Sequence, residues 1–325
     1  MENKEYNSIK KNLVSIVLTN FNKEKFILEQ LNSIVAQTYH NWELIIADDC
    51  STDGSKEIIR RFIEDNRDRK IIFLENEENL GVAKNFEKGL GFATGEYVAV
   101  CDADDVWLQD KLEKELQFLK KGNYGMVYSD MTVVDESLRI IEKSFMQKGL
   151  SHFCRQKDES FYELINNNHI PGPTILFRAE LKNRLIPFSK HAIQDHWIAI
   201  IFSIFYTIGY LDVSIVLYRQ HSGNMVSART FSPIRLILKK DKIFLDKHLN
   251  LKKKSLLFLT DLSNIKGTDN KIMKAINKKI EKTKMLVDCL SDLKEGKSNF
   301  WIRLFDLWKL GAFKEIFQVI YFKLF

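Results

Sequence analysis

The chain has 325 residues, 45% of them hydrophobic and 28% charged, with a net charge of +6. This composition excludes a disordered, collagen-like or low-complexity chain and is ample for a sizeable core. The charge is unevenly placed: residues 231–325 carry 21 Lys and Arg against 10 Asp and Glu, whereas residues 1–230 carry 28 against 33, which argues against a uniformly basic nucleic-acid binder.

In chain order, the first segment, MENKEYNSIKKNLV, is polar and shows no signal-peptide pattern. Residues 13–18 (LVSIVL) form a β-branched run that predicts a buried strand. Residues 23–37 have helical periodicity, with Phe26, Ile27, Leu31 and Ile34 on one stripe. Residues 42–47 (WELIIA) predict the next strand, followed by Asp48, Asp49 and CSTDGS, then a helix over 56–63. A third strand over 70–74, a helix over 80–92 and a strand over 97–101 continue the alternation. Alternation of this kind predicts an α/β fold, a mostly parallel sheet flanked by helices. In such sheets ligands bind beyond the carboxyl ends of the strands. That rule puts residues 19–22, 48–49 and 102–105 on one rim.

The second half is less regular, with strands predicted at 125–129, 171–177 and 213–218 and a helix at 195–205. The longest uncharged apolar run, residues 197–211, has fifteen residues. A membrane-spanning helix needs about 20, so the run is expected to be a buried helix leading into a strand. From residue 231 the pattern is helical and Lys-rich, with a break at 266–270 (KGTDN). Three regions follow: an N-terminal extension over 1–12, an α/β domain over 13–228 and a basic helical region over 229–325. The four cysteines form no CxxC or metal spacing, and a reducing compartment is the simpler expectation.

The carboxylates carry the chemistry. Asp102 and Asp104, two residues apart after a buried strand, have the spacing to share a hard divalent cation. The plain alternative is an acidic loop capping the helix that begins near Gln109. Asp48 and Asp49, with Thr52-Asp53-Gly54, are either a second acidic rim or a turn and helix cap. Asp195, beside an apolar helix, is either a general base of raised pKa or that helix's N-cap. Arg219 and His221 either face a diphosphate or lie in a solvated loop. No GxGxxG, GxxxxGK[ST], GxSxG or HExxH motif is present, which removes the common dinucleotide, P-loop, serine-hydrolase and zinc-hydrolase signatures.

The ordered set VSIVLTNFN, AQTYHNWELIIADDCSTDGS, NLGVAKNF, ATGEYVAVCDADDVWLQDKLE and QDHW resembles glycosyltransferase family 2, the inverting enzymes of GT-A fold. The resemblance covers residues 13 to about 225, and the later QDHWIAIIF and LYRQHSGN stretches are similar to a bacterial rhamnosyltransferase-like subgroup acting on surface polysaccharide. It implies that Thr19 and Phe21 line the nucleotide base and that Asp49, with Asp48 beside it, meets the base edge. Family members often carry proline and tyrosine where Thr19 and Phe21 stand. By the same resemblance Lys84 approaches the nucleotide, Asp102 contacts the ribose or a metal-bound water, Asp104 and His221 join Asp102 in holding Mn²⁺ or Mg²⁺, and Asp195 is the catalytic base. The implied donor is a nucleotide-diphosphate sugar, dTDP-rhamnose or a UDP-hexose. The implied acceptor is a hydroxyl of a growing, lipid-linked cell-surface glycan.

Residues 299–310 (NFWIRLFDLWKL) place their aromatic and leucine side chains on one helical face with Arg303, Asp306 and Lys309 opposite. A basic amphipathic helix of this kind suits an anionic membrane surface, giving an expectation of cytoplasmic, peripheral attachment to the inner face of the membrane. The alternative is packing against protein. Two competing functions are a nucleotidyltransferase that makes nucleotide sugars and a non-catalytic nucleotide-sugar-binding scaffold. The first usually has a glycine-rich loop after strand one, which TNFNKEK lacks. The second conflicts with the intact set Asp49, Asp102, Asp104 and Asp195.

Overall fold

The computed structural model describes residues 10–146, 157–221, 242–295 and Phe305. Its first half alternates strictly: β1 (Lys10–Asn20), α1 (Ile27–Val35), β2 (Trp42–Asp48), α2 (Ser55–Asp65), β3 (Ile71–Glu75), α3 (Val82–Gly91) and β4 (Gly95–Asp102). Next come β5 (Val106–Trp107), α4 (Lys111–Lys121), β6 (Met126–Val134), β7 (Ile140–Glu142) and α5 (Lys157–Leu164). A 3₁₀ turn at Gly172–Thr174 leads into β8 (Ile175–Arg178), α6 (Lys182–Leu185), α7 (Gln194–Phe205) and β9 (Ile208–Arg219).

The described strands form one nine-stranded sheet in the order β3-β2-β1-β4-β8-β6-β9-β5, with β7 beside β6. Strands β3, β2, β1 and β4 are mutually parallel. Beyond them β8 runs antiparallel to both β4 and β6, while β6 and β9 are parallel. The expected parallel sheet is therefore one half of a mixed sheet. Periodicity marks the βαβ units, whose two-faced burial produces continuous apolar runs. Short, interrupted strands such as β5 and β7 leave no such pattern, and neither is legible from the sequence.

Burial follows from those runs. Val14, Ile16, Val17 and Leu18 of β1 and Leu44, Ile45 and Ile46 of β2 are fully buried, and α1 adds Ile27, Leu31 and Ile34 to the same core. Helix α3 lies close on the sheet: a Cβ on Gly89 would come 2.8 Å from Val17 Cγ1, nearer than a side chain can sit. The long apolar run is α7 followed by β9. Trp197 through Phe202 are buried on every face of α7, and among the described residues no helix is long and apolar enough to cross a membrane.

Contacts divide the chain into two units, Met1–Ser227 and Ala228–Phe325. In the second, α8 (Lys242–Ser263) and α9 (Asn270–Glu295) form a hairpin around Gly267, which has φ 79°. Its seam buries Phe258, Leu259 and Leu262 with Ile272, Ile276 and Leu290, and Lys294 Nζ meets Asp246 Oδ1 at 2.5 Å where the two ends return. Of the amphipathic segment at 299–325, all but Phe305 lies outside the described residues. Among the described residues no disulfide joins Cys50, Cys101 and Cys289.

Candidate active site

Strand register assembles the rim. Thr19 stands opposite Ala47 on one side and Asp102 on the other, and Asn20 stands opposite Asp48. The loops after β1 and β2 are then joined by side chains. Asn20 Nδ2 donates to Asp48 Oδ2 at 2.7 Å, and the Asn22 N–H donates to Ser51 Oγ at 2.9 Å. Asn22 Oδ1 accepts from the Thr52 N–H at 2.8 Å, while Asp53 Oδ2 accepts from the Glu24 N–H at 2.9 Å. Asn22 and Cys50 take left-handed backbone, φ 52° and 65°, a conformation asparagine tolerates better than most residues. Phe21, 45% exposed, projects from this floor and keeps an aromatic face available for stacking.

The two neighbouring acids differ in what they hold. Asp48 is fully buried and accepts from Asn20 Nδ2 and from the Ser51 N–H at 2.8 Å, so it braces the turn. Asp49, 4% exposed, accepts from Asn76 Nδ2 at 2.9 Å, the Leu80 N–H at 2.7 Å and the Gly81 N–H at 2.9 Å. It fixes the loop that enters α3. Lys84 pairs with Glu87 at 2.6 Å, one turn along α3, and no contact brings it to Asp102 or Asp104. Asp53 accepts from the Ser55 N–H at 3.0 Å and Ser55 Oγ at 2.6 Å, which braces the turn, while the N-cap of α2 is Gly54 with no side-chain cap bond.

At the end of β4, Asp104 Oδ2 receives two nitrogens: Lys23 Nζ at 2.7 Å and His221 Nε2 at 2.9 Å. Burial raises the Asp104 carboxyl, but the His221 hydrogen bond and the Lys23 charge outweigh it and hold the pKa below the usual range. Asp102 has the opposite balance. Burial first, then Asp104 and Asp195, push it up to about 7. Asp105 is buried and raised well above the carboxylate range by burial, Asp104 and Asp102. None of these acids caps α4.

Arg219 departs from both of its expected roles. It is 1% exposed. Its N–H donates to Asp105 Oδ1 at 3.0 Å, its Nε to the Asp104 carbonyl at 2.9 Å and its Nη1 to the Glu136 carbonyl at 2.5 Å, while Nη2 pairs with Glu29. The guanidinium clamps the acidic loop from behind and does not face a diphosphate.

Asp195 lies in the first turn of α7, whose N-cap is Ile193 with no side-chain cap bond, so the N-cap alternative is excluded. Its Oδ1 accepts from Asn168 Nδ2 at 2.9 Å and from the His196 N–H at 2.6 Å. Burial raises the carboxyl to about 6 against the lowering effect of donors from His196, Gly172 and Asn168. Gly172 separates it from Asp102: a Cβ there would lie 3.6 Å from Asp195 Cβ and 3.8 Å from Asp102 Oδ2. A partly exposed carboxylate of pKa about 6, beside the acidic end of β4, can remove a proton from a bound hydroxyl.

The donor set fits a divalent ion in one respect and not in another. Among the described residues no three His, Cys, Asp or Glu side chains form a coordinating group, so Asp102, Asp104 and His221 are not a ready three-ligand cage. Asp104 and His221 form a hydrogen-bonded pair two residues along from Asp102. Ions such as Mg²⁺ are commonly held by one or two carboxylates plus substrate phosphates, and this pair meets that requirement. Nothing in the sequence pattern marks Lys23 or Asn168; the one available signal is that Lys23 follows directly on TNFN.

The sequence profile of glycosyl transferase family 2 matches residues 15–185. Among curated relatives, the Escherichia coli protein named UDP-Glc:alpha-D-GlcNAc-diphosphoundecaprenol beta-1,3-glucosyltransferase WfgD is 33% identical over 177 residues, 54% of this chain and 63% of that one. The chain spans about half the length of other curated relatives it matches. Staphylococcus aureus TarS 1–349 in complex with UDP-GlcNAc superposes with TM-score 0.55 at 19% identity, covering 90% of this chain and 89% of that one. The Pyrobaculum calidifontis mannosyltransferase PcManGT with GDP-Man and Mn²⁺ gives TM-score 0.52 at 17% identity, covering 95% and 84%. At these identities the structures establish the shared GT-A fold.

Proposed function

Since the chain belongs to glycosyl transferase family 2, we propose that its first unit is an inverting glycosyltransferase using a nucleotide-diphosphate sugar. The carrying observation is the approach of Asp195 and Asp102 to the two sides of Gly172. There a base of pKa about 6 faces the acidic end of β4.

In this reading Thr19, Phe21 and Asp49 bound the nucleotide pocket and Asp102 lies toward the ribose. Asp195 takes the proton of the acceptor hydroxyl. The acceptor oxygen bonds to the anomeric carbon from the face opposite the diphosphate, and the breaking bond leaves its electron pair on the diphosphate. One displacement inverts the centre and needs a single base. Asp104 and His221 would hold Mn²⁺ or Mg²⁺, which when bound supplies Lewis-acid stabilisation of the leaving charge. Much of the remaining acceleration would come from positioning donor and acceptor.

The name of WfgD, with UDP-glucose as donor and a diphosphoundecaprenol-linked sugar as acceptor, favours a UDP-hexose over dTDP-rhamnose and a lipid-linked glycan as acceptor. We assign membrane-surface attachment on the cytoplasmic face to the basic second unit, with its 21 Lys and Arg over residues 231–325. The test is a screen of UDP-, dTDP- and GDP-sugars with the Asp195→Asn variant. Wild type should bind one class and transfer its sugar, while Asp195→Asn should bind it equally and transfer at least 10³-fold more slowly, on the order of the upper range for general-base loss. Near-normal turnover by Asp195→Asn would remove the base assignment. No response to any nucleotide sugar would overturn the reading.

A further inference from the structure

We propose that Lys23 is a built-in occupant of the cation position: its ammonium neutralises Asp104 until a divalent ion displaces it, and then engages the donor diphosphate. The proposal rests on the functional reading above, because it takes Asp104 and His221 as ion-holding residues.

The geometry points this way on three counts. Two nitrogens converge on the single oxygen Asp104 Oδ2, Lys23 Nζ at 2.7 Å and His221 Nε2 at 2.9 Å, and the nitrogens are 3.4 Å apart. A carboxylate oxygen that collects a cation and an imidazole is arranged as an ion-holding pair with an ammonium in the ion's place. Second, Lys23 is anchored at its backbone and movable at its head. Its N–H donates to Ser55 Oγ at 3.0 Å, and its carbonyl accepts the N–H groups of Phe26 and Ile27, each at 2.9 Å, at the start of α1. The side chain is 19% exposed, and a four-carbon stem lets the ammonium relocate without disturbing that anchor. Third, one positive charge is too little for the rim. Asp102 lies two residues before Asp104, and a Cβ on Gly172 would sit 3.8 Å from Asp102 Oδ2 and 3.9 Å from Asp195 Oδ2, so three carboxylates gather at this rim. A divalent ion supplies the missing charge, and the displaced ammonium is left beside the space where a diphosphate must arrive.

Two cations competing for one carboxylate must weaken each other, and couplings of this kind typically run about 5–150-fold. The test titrates Mn²⁺ into the full chain, following the free-ion paramagnetic resonance signal, for wild type, Lys23→Met, Lys23→Arg and Asp104→Asn. Thermal unfolding of each confirms a folded sample. Lys23→Met should bind Mn²⁺ roughly tenfold more tightly than wild type, Lys23→Arg should stay near wild type, and Asp104→Asn should lose binding. With Mn²⁺ saturating, UDP affinity by calorimetry should fall roughly tenfold in Lys23→Met. If Asp104→Asn loses Mn²⁺ while Lys23→Met binds it no tighter than wild type, the ion assignment stands and the Lys23 proposal is overturned. If Asp104→Asn binds Mn²⁺ as wild type does, or wild type binds none even with UDP present, the ion assignment itself fails and the proposal with it. Unchanged UDP affinity in Lys23→Met would remove the diphosphate contact.

Discussion

Asn168 Nδ2 donates to Asp195 Oδ1 across 2.9 Å. The amide is held in that orientation from its other end, where Asn168 Oδ1 accepts the Ile170 N–H at 3.1 Å. A loop well outside the family's acidic motifs therefore aims the proposed base.

This bond favours the charged carboxylate and lowers its pKa from the position that burial alone would set. Removing it with Asn168→Ala should raise the Asp195 pKa. The base works only when deprotonated, so the acidic limb of kcat/KM, expected near pH 6 in wild type, should move upward by up to about one pH unit. Asp102, which like Asp195 lies near Gly172, is a titratable group that interacts with this carboxylate. A pH–rate profile on Asn168→Ala and Asn168→Gln checks this. An unmoved limb in the alanine variant would reduce Asn168 to a loop brace.

Gly172→Ala tests whether the reacting groups pass between Asp102 and Asp195. The new methyl would meet its neighbours at 3.6–3.9 Å, ordinary contact distances, so the melting temperature should hold within about 2 °C. The methyl nevertheless enters the space between the two carboxylates. We expect kcat/KM to fall by at least about tenfold, with UDP affinity little changed. Full activity in Gly172→Ala would place the substrates elsewhere.

Arg219 is assigned to stability. Arg219→Met keeps the bulk but strands the Asp104 and Glu136 carbonyls and removes charge compensation beside buried Asp105. Loss of one partner from a buried charged network is worth about 3–5 kcal/mol, and a urea unfolding curve should show it. A change below about 1 kcal/mol would contradict the clamp.

Glu43 reports on the opposite end of the sheet. It is fully buried, accepts from Ser15 Oγ at 2.6 Å and the Thr94 N–H at 2.7 Å, and pairs with Lys70. Burial raises its carboxyl, but these donors outweigh burial and leave the pKa below its ordinary 4.5. A depressed folded pKa gives stability that is fully present above 4.5 and lost as the pH falls through the folded value. Glu43→Gln should lower stability at pH 7 and flatten its decline below pH 4.5, leaving per-molecule activity intact.

What could be foreseen from the sequence followed the physics of each element. Strands β1, β2 and β4 are buried on both faces, so their apolar runs announce them, and register then puts Thr19 beside Asp102. Asp195 and Asp104 were marked by motif. The roles of Asp48 and Arg219 were not, because nothing in a linear string tells a carboxylate facing ligand from one bracing a turn. Lys23 and Asn168 act on partners 81 and 27 residues away, and such pairs exist only once the sheet has closed.

The joined loops after β1 and β2 have a thermodynamic consequence. Asn20 is bonded to Asp48 and Ser51, Asn22 to Ser51 and Thr52, and Asp53 to Glu24 before anything binds. A base settling against Phe21 therefore freezes little further protein motion. Ordering a loop on binding consumes interaction energy that a rigid floor retains. Nucleotide recognition on this floor should resemble closure of a preformed socket, with association limited by encounter and not by rearrangement of the chain.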